Sequence, residues 1–281
     1  MDQVNLGAWI DRSETTLGGI SQQKSELIHA VLGQRGTAAP QVTARLPHLW
    51  HWYAFPPAVA MEELGEDGHP RLGDFMPPVR LNRRMWAGGS LEFLAPLHVG
   101  ETLTKRSRIA DIQEKSAKSG EMVLISLDHE ISGSDGLAIR ERQDIVYMEM
   151  PDSYRAPKAI PAPAETDLSE DIAVSTPLLF RYSSITFNAH RIHYDLTYTR
   201  EVEHYPDLVV HGPLQANLLM DMATRHRGHA PSVLSYRGVH PAFASDQITT
   251  VATKQSAAEW SLSTVANGAH QCMQANAMWE I

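Results

Sequence analysis

Residues 91–103, L-E-F-L-A-P-L-H-V-G-E-T-L, lie over residues 236–248, Y-R-G-V-H-P-A-F-A-S-D-Q-I, when the chain is shifted against itself by 145 positions. Pro96 then falls on Pro241, Glu101 on Asp246 and Leu103 on Ile248. Few letters are identical. What the two segments share is their setting: each follows a block of helical periodicity and opens a run of strands. This predicts a duplicated helix-plus-sheet unit, its two copies packed as a pseudo-dimer within one chain.

The flanks agree. Residues 21–32, S-Q-Q-K-S-E-L-I-H-A-V-L, place Leu27, Ile28, Val31 and Leu32 on one helical face that stops at Gly33. The aromatic block P-H-L-W-H-W-Y-A-F (47–55) reads as core or interface packing, and G-E-D-G-H-P-R-L-G-D-F-M-P-P (65–78) as an ordered loop. Strands are predicted from Gly89 to Met150, where Val123, Ile125 and Leu127 alternate with their neighbours and G-S-D-G (133–136) marks a turn. Residues 151–177 hold five of the 17 prolines and read as an extended linker between an N-terminal unit, 1–150, and a C-terminal unit, 178–281. In the second unit Leu214, Leu218, Leu219 and Met222 keep helical spacing between Pro213 and Gly228, with Met220 in the core and Asp221 at the solvated edge. Strands return after that helix, and Asn267-Gly268 is a hairpin signal.

Composition narrows the function. The 281 residues are 43% hydrophobic and 20% charged, enough to bury a full core, and a formal charge of −9 argues against broad nucleic-acid binding. Cys272 is the single cysteine, so an intrachain disulfide and a multi-cysteine zinc site are excluded. No signal-peptide pattern and no apolar run of about 18 residues is visible, which predicts a soluble cytoplasmic protein that does not bind membranes. The histidines show no H-x-x-x-H pair near carboxylates and no G-x-G-x-x-G occurs, so neither a metal nor another cofactor is expected.

Chemistry concentrates in F-N-A-H-R-I-H-Y-D (187–195) and V-V-H-G-P-L-Q (209–215). A polar loop facing the start of a buried helix suits acid–base work on a carbonyl compound, because helix N-termini offer free N–H donors.

These motifs, together with R-R-M-W-A-G-G-S-L-E-F (83–93), resemble the MaoC-like acyl-thioester hydratases and dehydratases over the whole chain. The resemblance implies an α+β double hotdog fold with a dehydratase-like, non-catalytic first half. The family's hydratase motif runs Asp-x-Asn-Pro-(aliphatic)-His, followed by an apolar segment and His-Gly. F-N-A-H-R-I-H-Y-D resembles most closely the subgroup of mesaconyl-C4-CoA (3-methylfumaryl-CoA) and itaconyl-CoA hydratases. A small-molecule CoA thioester substrate, no cofactor, and a homodimer are what this implies. The chain departs from the broader motif in placing Asn188 where the Asp stands, His190 for the Asn and Arg191 for the Pro.

Carried over residue by residue, the resemblance makes His193 the acid–base group. Asn188 cannot take a proton and is left to orient water or fix an imidazole tautomer. Either His193 shuttles the proton alone, or His190 or Asp195 shares the work; Asp195 otherwise caps a helix. Gly212 offers its N–H to the thioester carbonyl, and His211 is a packed neighbour. Arg191 is a candidate clamp for a free carboxylate of the substrate, with a plain ion pair as the competing reading. Arg83, Arg84 and Trp86 are candidates for coenzyme A contacts. Two rival functions stand beside hydration of a C5 dicarboxylyl-CoA in itaconate or related catabolism. One is a general (R)-specific enoyl-CoA hydratase or 3-hydroxyacyl-thioester dehydratase; the other is a silent acyl-CoA-binding protein.

Overall fold

Apolar residues that alternate between buried and exposed positions mark several of the ten strands. The computed structural model describes residues 5–34, 36–117 and 120–280. The strands are β1 (Ser13–Gly18), β2 (Arg83–Phe93), β3 (Leu103–Ala117), β4 (Gly120–Gly133), β5 (Gly136–Met148), β6 (Leu168–Ile172), β7 (Val233–Gly238), β8 (Ile248–Lys254), β9 (Glu259–Ala266) and β10 (His270–Met278). They form one antiparallel sheet in the order β1-β3-β4-β5-β2-β7-β10-β9-β8-β6. The helices are α1 (Gln22–Leu32), α2 (Thr176–Thr186), α3 (Leu196–Glu201) and α4 (Gly212–Arg227).

The two halves of that order repeat each other about the β2–β7 junction, where Ser90 pairs with Ser235, residues separated by the shift seen in the sequence. The aligned acids do the same local job. Glu101 accepts from the backbone N–H of His98 and from Ser134 in the β4–β5 turn. Asp246 accepts from the N–H of Phe243 and from Asn267 in the β9–β10 turn. Each carboxylate ties the entry of one strand to the hairpin beside it. The fold is an α+β double hotdog.

Helix α1 begins where Ser21 caps Lys24 N–H and ends at Gly33, as its periodicity requires. The hairpin at Asn267-Gly268 has both residues at positive φ, which matches the right-handed twist of its strands. Residues 151–177 are not linker throughout: their Leu168–Ile172 is the edge strand β6, paired with β8.

The halves differ in one respect. Helix α4 packs across β8, β9 and β10, burying Leu214, Leu219 and Met222 completely. Burial of each such side chain is worth about 1.5–3 kcal/mol. The first half has no counterpart among the described residues: between α1 and β2 it forms only the short 3-10 turns Trp50–Tyr53 and Met61–Glu63. Its sheet therefore faces a cleft instead of a helix, and a polar band lines that cleft: Lys105, Ser107, His129, Glu141 and Gln143. Glu141 anchors the band, accepting from His51 at 3.0 Å and from Trp52 Nε1 at 2.7 Å. The aromatic block splits accordingly. Trp50 and Tyr53 are core, while Trp52 lines the cleft.

Candidate active site

The polar loop is built by local hydrogen bonds. Helix α2 ends when Phe187 turns left-handed (φ 54°), and Asn188 Oδ1 then accepts from His190 N–H at 3.0 Å. A 3-10 turn over Arg191–His193 follows, and Asp195 caps α3 by accepting from Tyr198 N–H. The cap reading of Asp195 is the one the structure shows.

His193 lies buried with Nδ1 2.8 Å from the carbonyl of Val209. A carbonyl only accepts, so Nδ1 carries the proton and Nε2 is left as a lone pair on the cleft wall. Burial, with His211 and His190 close by, holds the imidazole neutral, well below the ordinary histidine range. His211 stacks on it at 3.6 Å and is itself pushed down to about 3 by burial. It reaches Ser183 through Nε2 and stays off the cleft wall, a packed neighbour as expected.

Gly212 opens α4 directly beside this pair and lines the cleft. A Cβ there would stand 2.6 Å from Cε3 of Trp86, so only glycine lets the indole cover the helix start. Trp86, stacked on Tyr236 at 4.3 Å, and Arg84 both line the cleft, which has a volume of about 1630 Å³. Asn188 and His190 line it too, but His190 Nε2 is already engaged by Glu203 at 2.9 Å in a buried pair.

Two expected substrate contacts lie elsewhere. Arg191 does not reach the cleft wall: its Nε and Nη2 donate to Asp195, Nη1 to the carbonyl of Glu66, and its guanidinium sits 4.1 Å over Tyr198. The i,i+4 geometry and a ready aromatic face favour this local ion pair over a carboxylate clamp. Arg83 likewise turns from the cleft and packs its guanidinium 4.6 Å over Tyr205, because neighbouring residues on a strand face opposite sides.

Spacing along the chain gives no signal for Asp67 and His69, which lie in the ordered loop 65–78. The structure brings that loop against the motif: Arg191 N–H donates to Asp67 O, and the His69 ring lies 4.2 Å from that of His190. Asp67 accepts from both the backbone N–H (2.9 Å) and Nδ1 (2.8 Å) of His69. Burial alone would raise the Asp67 carboxyl; the hydrogen bonds from His69 hold it ionised, below the usual carboxylate range. Burial, with Arg84 nearby, pushes His69 down to about 3, so its ring is neutral at neutral pH. Asp67, His69 and His190 also bring ligand-type atoms within 4.8 Å of one another, as do His240, His270 and Cys272, juxtapositions invisible to spacing along the chain.

The double hotdog, with a neutral buried histidine beside the start of α4, is the arrangement that the resemblance to acyl-thioester hydratases and dehydratases calls for. The family model for hydroxyacyl-thioester dehydratase type 2 matches residues 49–244, and the chain belongs to that family. Over 244 residues, 86% of this chain and 87% of the other, it is 39% identical to the mesaconyl-C(4)-CoA hydratase of Chloroflexus aurantiacus. The mitochondrial hydroxyacyl-thioester dehydratase type 2 of Schizosaccharomyces pombe is 28% identical over 71% of this chain and 75% of its own length. Among solved structures, a MaoC-like dehydratase from Phytophthora capsici superposes with a TM-score of 0.72 over 99% of this chain and 98% of that one, at 13% identity. A Mycobacterium tuberculosis protein described as a double hotdog gives 0.59 over 96% of each chain. The chain is a hydro-lyase of that family, and no helix among the described residues is long and apolar enough to cross a membrane.

Proposed function

We propose that the chain reversibly hydrates a C5 dicarboxylyl enoyl-CoA of the mesaconyl-C4 type, giving a citramalyl-CoA. The observation that carries the reading is Arg84. It stands on the cleft wall two residues from Trp86, and no described carboxylate lies within ion-pair distance of its guanidinium. A cation so placed suits the free carboxylate of such an acyl group, and Arg84→Met separates that role from a contact to coenzyme A, which would affect both esters alike. The name borne by the Chloroflexus relative supports the same substrate class.

In this reading the Gly212 N–H polarises the thioester carbonyl as negative charge moves onto it. His193 Nε2 takes a proton from the water whose oxygen bonds the β-carbon, and returns it to the α-carbon. Itaconyl-CoA, with its double bond out of conjugation, needs isomerisation before this chemistry applies.

The test is turnover of mesaconyl-C4-CoA and crotonyl-CoA by wild type, Arg84→Met and Arg191→Ala. Loss of a charge-assisted pair worth about 1.5–3 kcal/mol lowers kcat/KM for the dicarboxylyl ester roughly 10- to 100-fold in Arg84→Met. Arg191→Ala is expected to keep the preference. Equal or better hydration of crotonyl-CoA by the wild type points instead to the general enoyl-CoA hydratase, which the large cleft and the yeast relative favour.

A further inference from the structure

Water adding to the β-carbon has two O–H bonds to aim, and His193 meets only one of them. We propose that His69, contributed by the first half and oriented by Asp67, is a second catalytic residue that accepts the other O–H of the attacking water. This rests on the hydratase reading above.

The tautomer of His69 is not open to choice. Its Nδ1 lies 2.8 Å from an ionised carboxylate that can only accept, so the ring proton is on Nδ1 and Nε2 is a lone pair. That Nε2 hydrogen-bonds to no described residue, and His69 lines the cleft. His193 is held the same way by the carbonyl of Val209. The two acceptors flank one ring, His190, whose centroid is 4.2 Å from His69 and 5.4 Å from His193.

Most other polar groups at this point are already committed, His190 Nδ1 excepted, which hydrogen-bonds to no described residue. His190 Nε2 and Glu203 hold each other at 2.9 Å, and Asp195 holds Arg191. Asn188 spends Oδ1 on the N–H of His190, which leaves its Nδ2 as a donor on the cleft wall. In the proposed arrangement three of these groups serve one water. His193 and His69 accept its two protons in hydrogen bonds, Asn188 donates to one lone pair, and the other lone pair attacks the β-carbon. Only the proton bonded toward His193 is transferred; it returns to the α-carbon, and His69 ends each turnover neutral. The water is aimed from both halves of the chain, so the first half is more than scaffold.

Kinetics with crotonyl-CoA and mesaconyl-C4-CoA test this in wild type, His69→Ala, His69→Gln and Asp67→Asn, with circular dichroism and urea midpoints to report folding. His69→Ala is expected to lower kcat about 100-fold with KM within about threefold. His69→Gln, whose amide oxygen still accepts, is expected to recover about tenfold of that loss. Asp67→Asn, which frees the tautomer, is expected to fall between wild type and His69→Ala. Turnover of His69→Ala within threefold of wild type overturns the role of His69 and leaves the hydratase reading standing. So does a matched loss in the Ala and Gln variants with KM raised in step, which marks a structural residue. A wild type that turns over neither ester removes the hydratase reading, and the proposal with it.

Discussion

Four imidazoles run in contact beside the start of α4: His211 on His193, His193 against His190, and His190 against His69. Burial keeps three of them neutral, with His69 and His211 near 3 and His193 well below its ordinary value. His48, half-buried, and His129, buried, are pushed down to about 4 by loss of solvent. In the unfolded chain each imidazole takes a proton near pH 6.5, so between about 6.5 and 4 the unfolded state binds more protons than the folded one. Stability contributed by these groups is complete above that window and is lost as pH falls through it. The slope is at most about 1.4 kcal/mol per pH unit for each group. The urea midpoint is expected to drop clearly between pH 7.5 and pH 5, and less so in His69→Gln. A midpoint that does not move over that range contradicts neutral burial of the cluster.

The loop that carries His69 meets the site through a glycine. At Gly68 the backbone is left-handed (φ +91°), and a Cβ would stand 1.9 Å from the carbonyl of Ala189. Only glycine lets the 65–70 loop lie flat on the 187–195 loop, where Arg191 then bonds Glu66 and Asp67. Gly68→Ala is expected to cost about 1–2 kcal/mol from backbone strain. It also pushes His69 away from His190, and a displacement of about 1 Å at such a site lowers kcat on the order of 100-fold. Wild-type kinetics in Gly68→Ala would show that the loop contact is incidental. Arg191 acts at this scale as a staple between loop and helix, which explains why its change is expected to touch stability more than substrate preference.

Across the whole molecule, one continuous sheet carries two unlike halves. The second fills its sheet with α4; the first leaves the matching face to a cleft lined by a polar band. Glu141, 5% exposed, is the acceptor for His51, Trp52 and Gln143 together, and these bonds hold it ionised at about 2 against a burial effect that would raise it. Glu141→Ala strands the buried His51 and two half-buried donors, Trp52 and Gln143, and is expected to destabilise the chain by about 3 kcal/mol, read as a lower urea midpoint at unchanged slope. A loss under about 1 kcal/mol would mean that water replaces the carboxylate freely.

Local physics made much of this legible along the chain. The 3.6-residue spacing from Leu214 to Met222, the Ser21 and Gly33 stops and the Asn267-Gly268 turn all depend on near neighbours. The 145-residue repeat held because Glu101 and Asp246 each tie a strand entry to its own hairpin. The meeting of His193 and Gly212 was legible through the family resemblance, whose motif includes both stretches. Tertiary structure alone decided which side chains face the cleft. Arg191 found Asp195 one helical turn away, and Arg83 fell on the wrong side of a strand whose neighbour Arg84 lines the cleft. Asp67 and His69, more than a hundred residues from the motif, were brought to it by packing of the first half. Sequence spacing encodes periodicity and caps, which are short-range; the direction of a charged side chain is set by which partner, near or distant, folding places within reach.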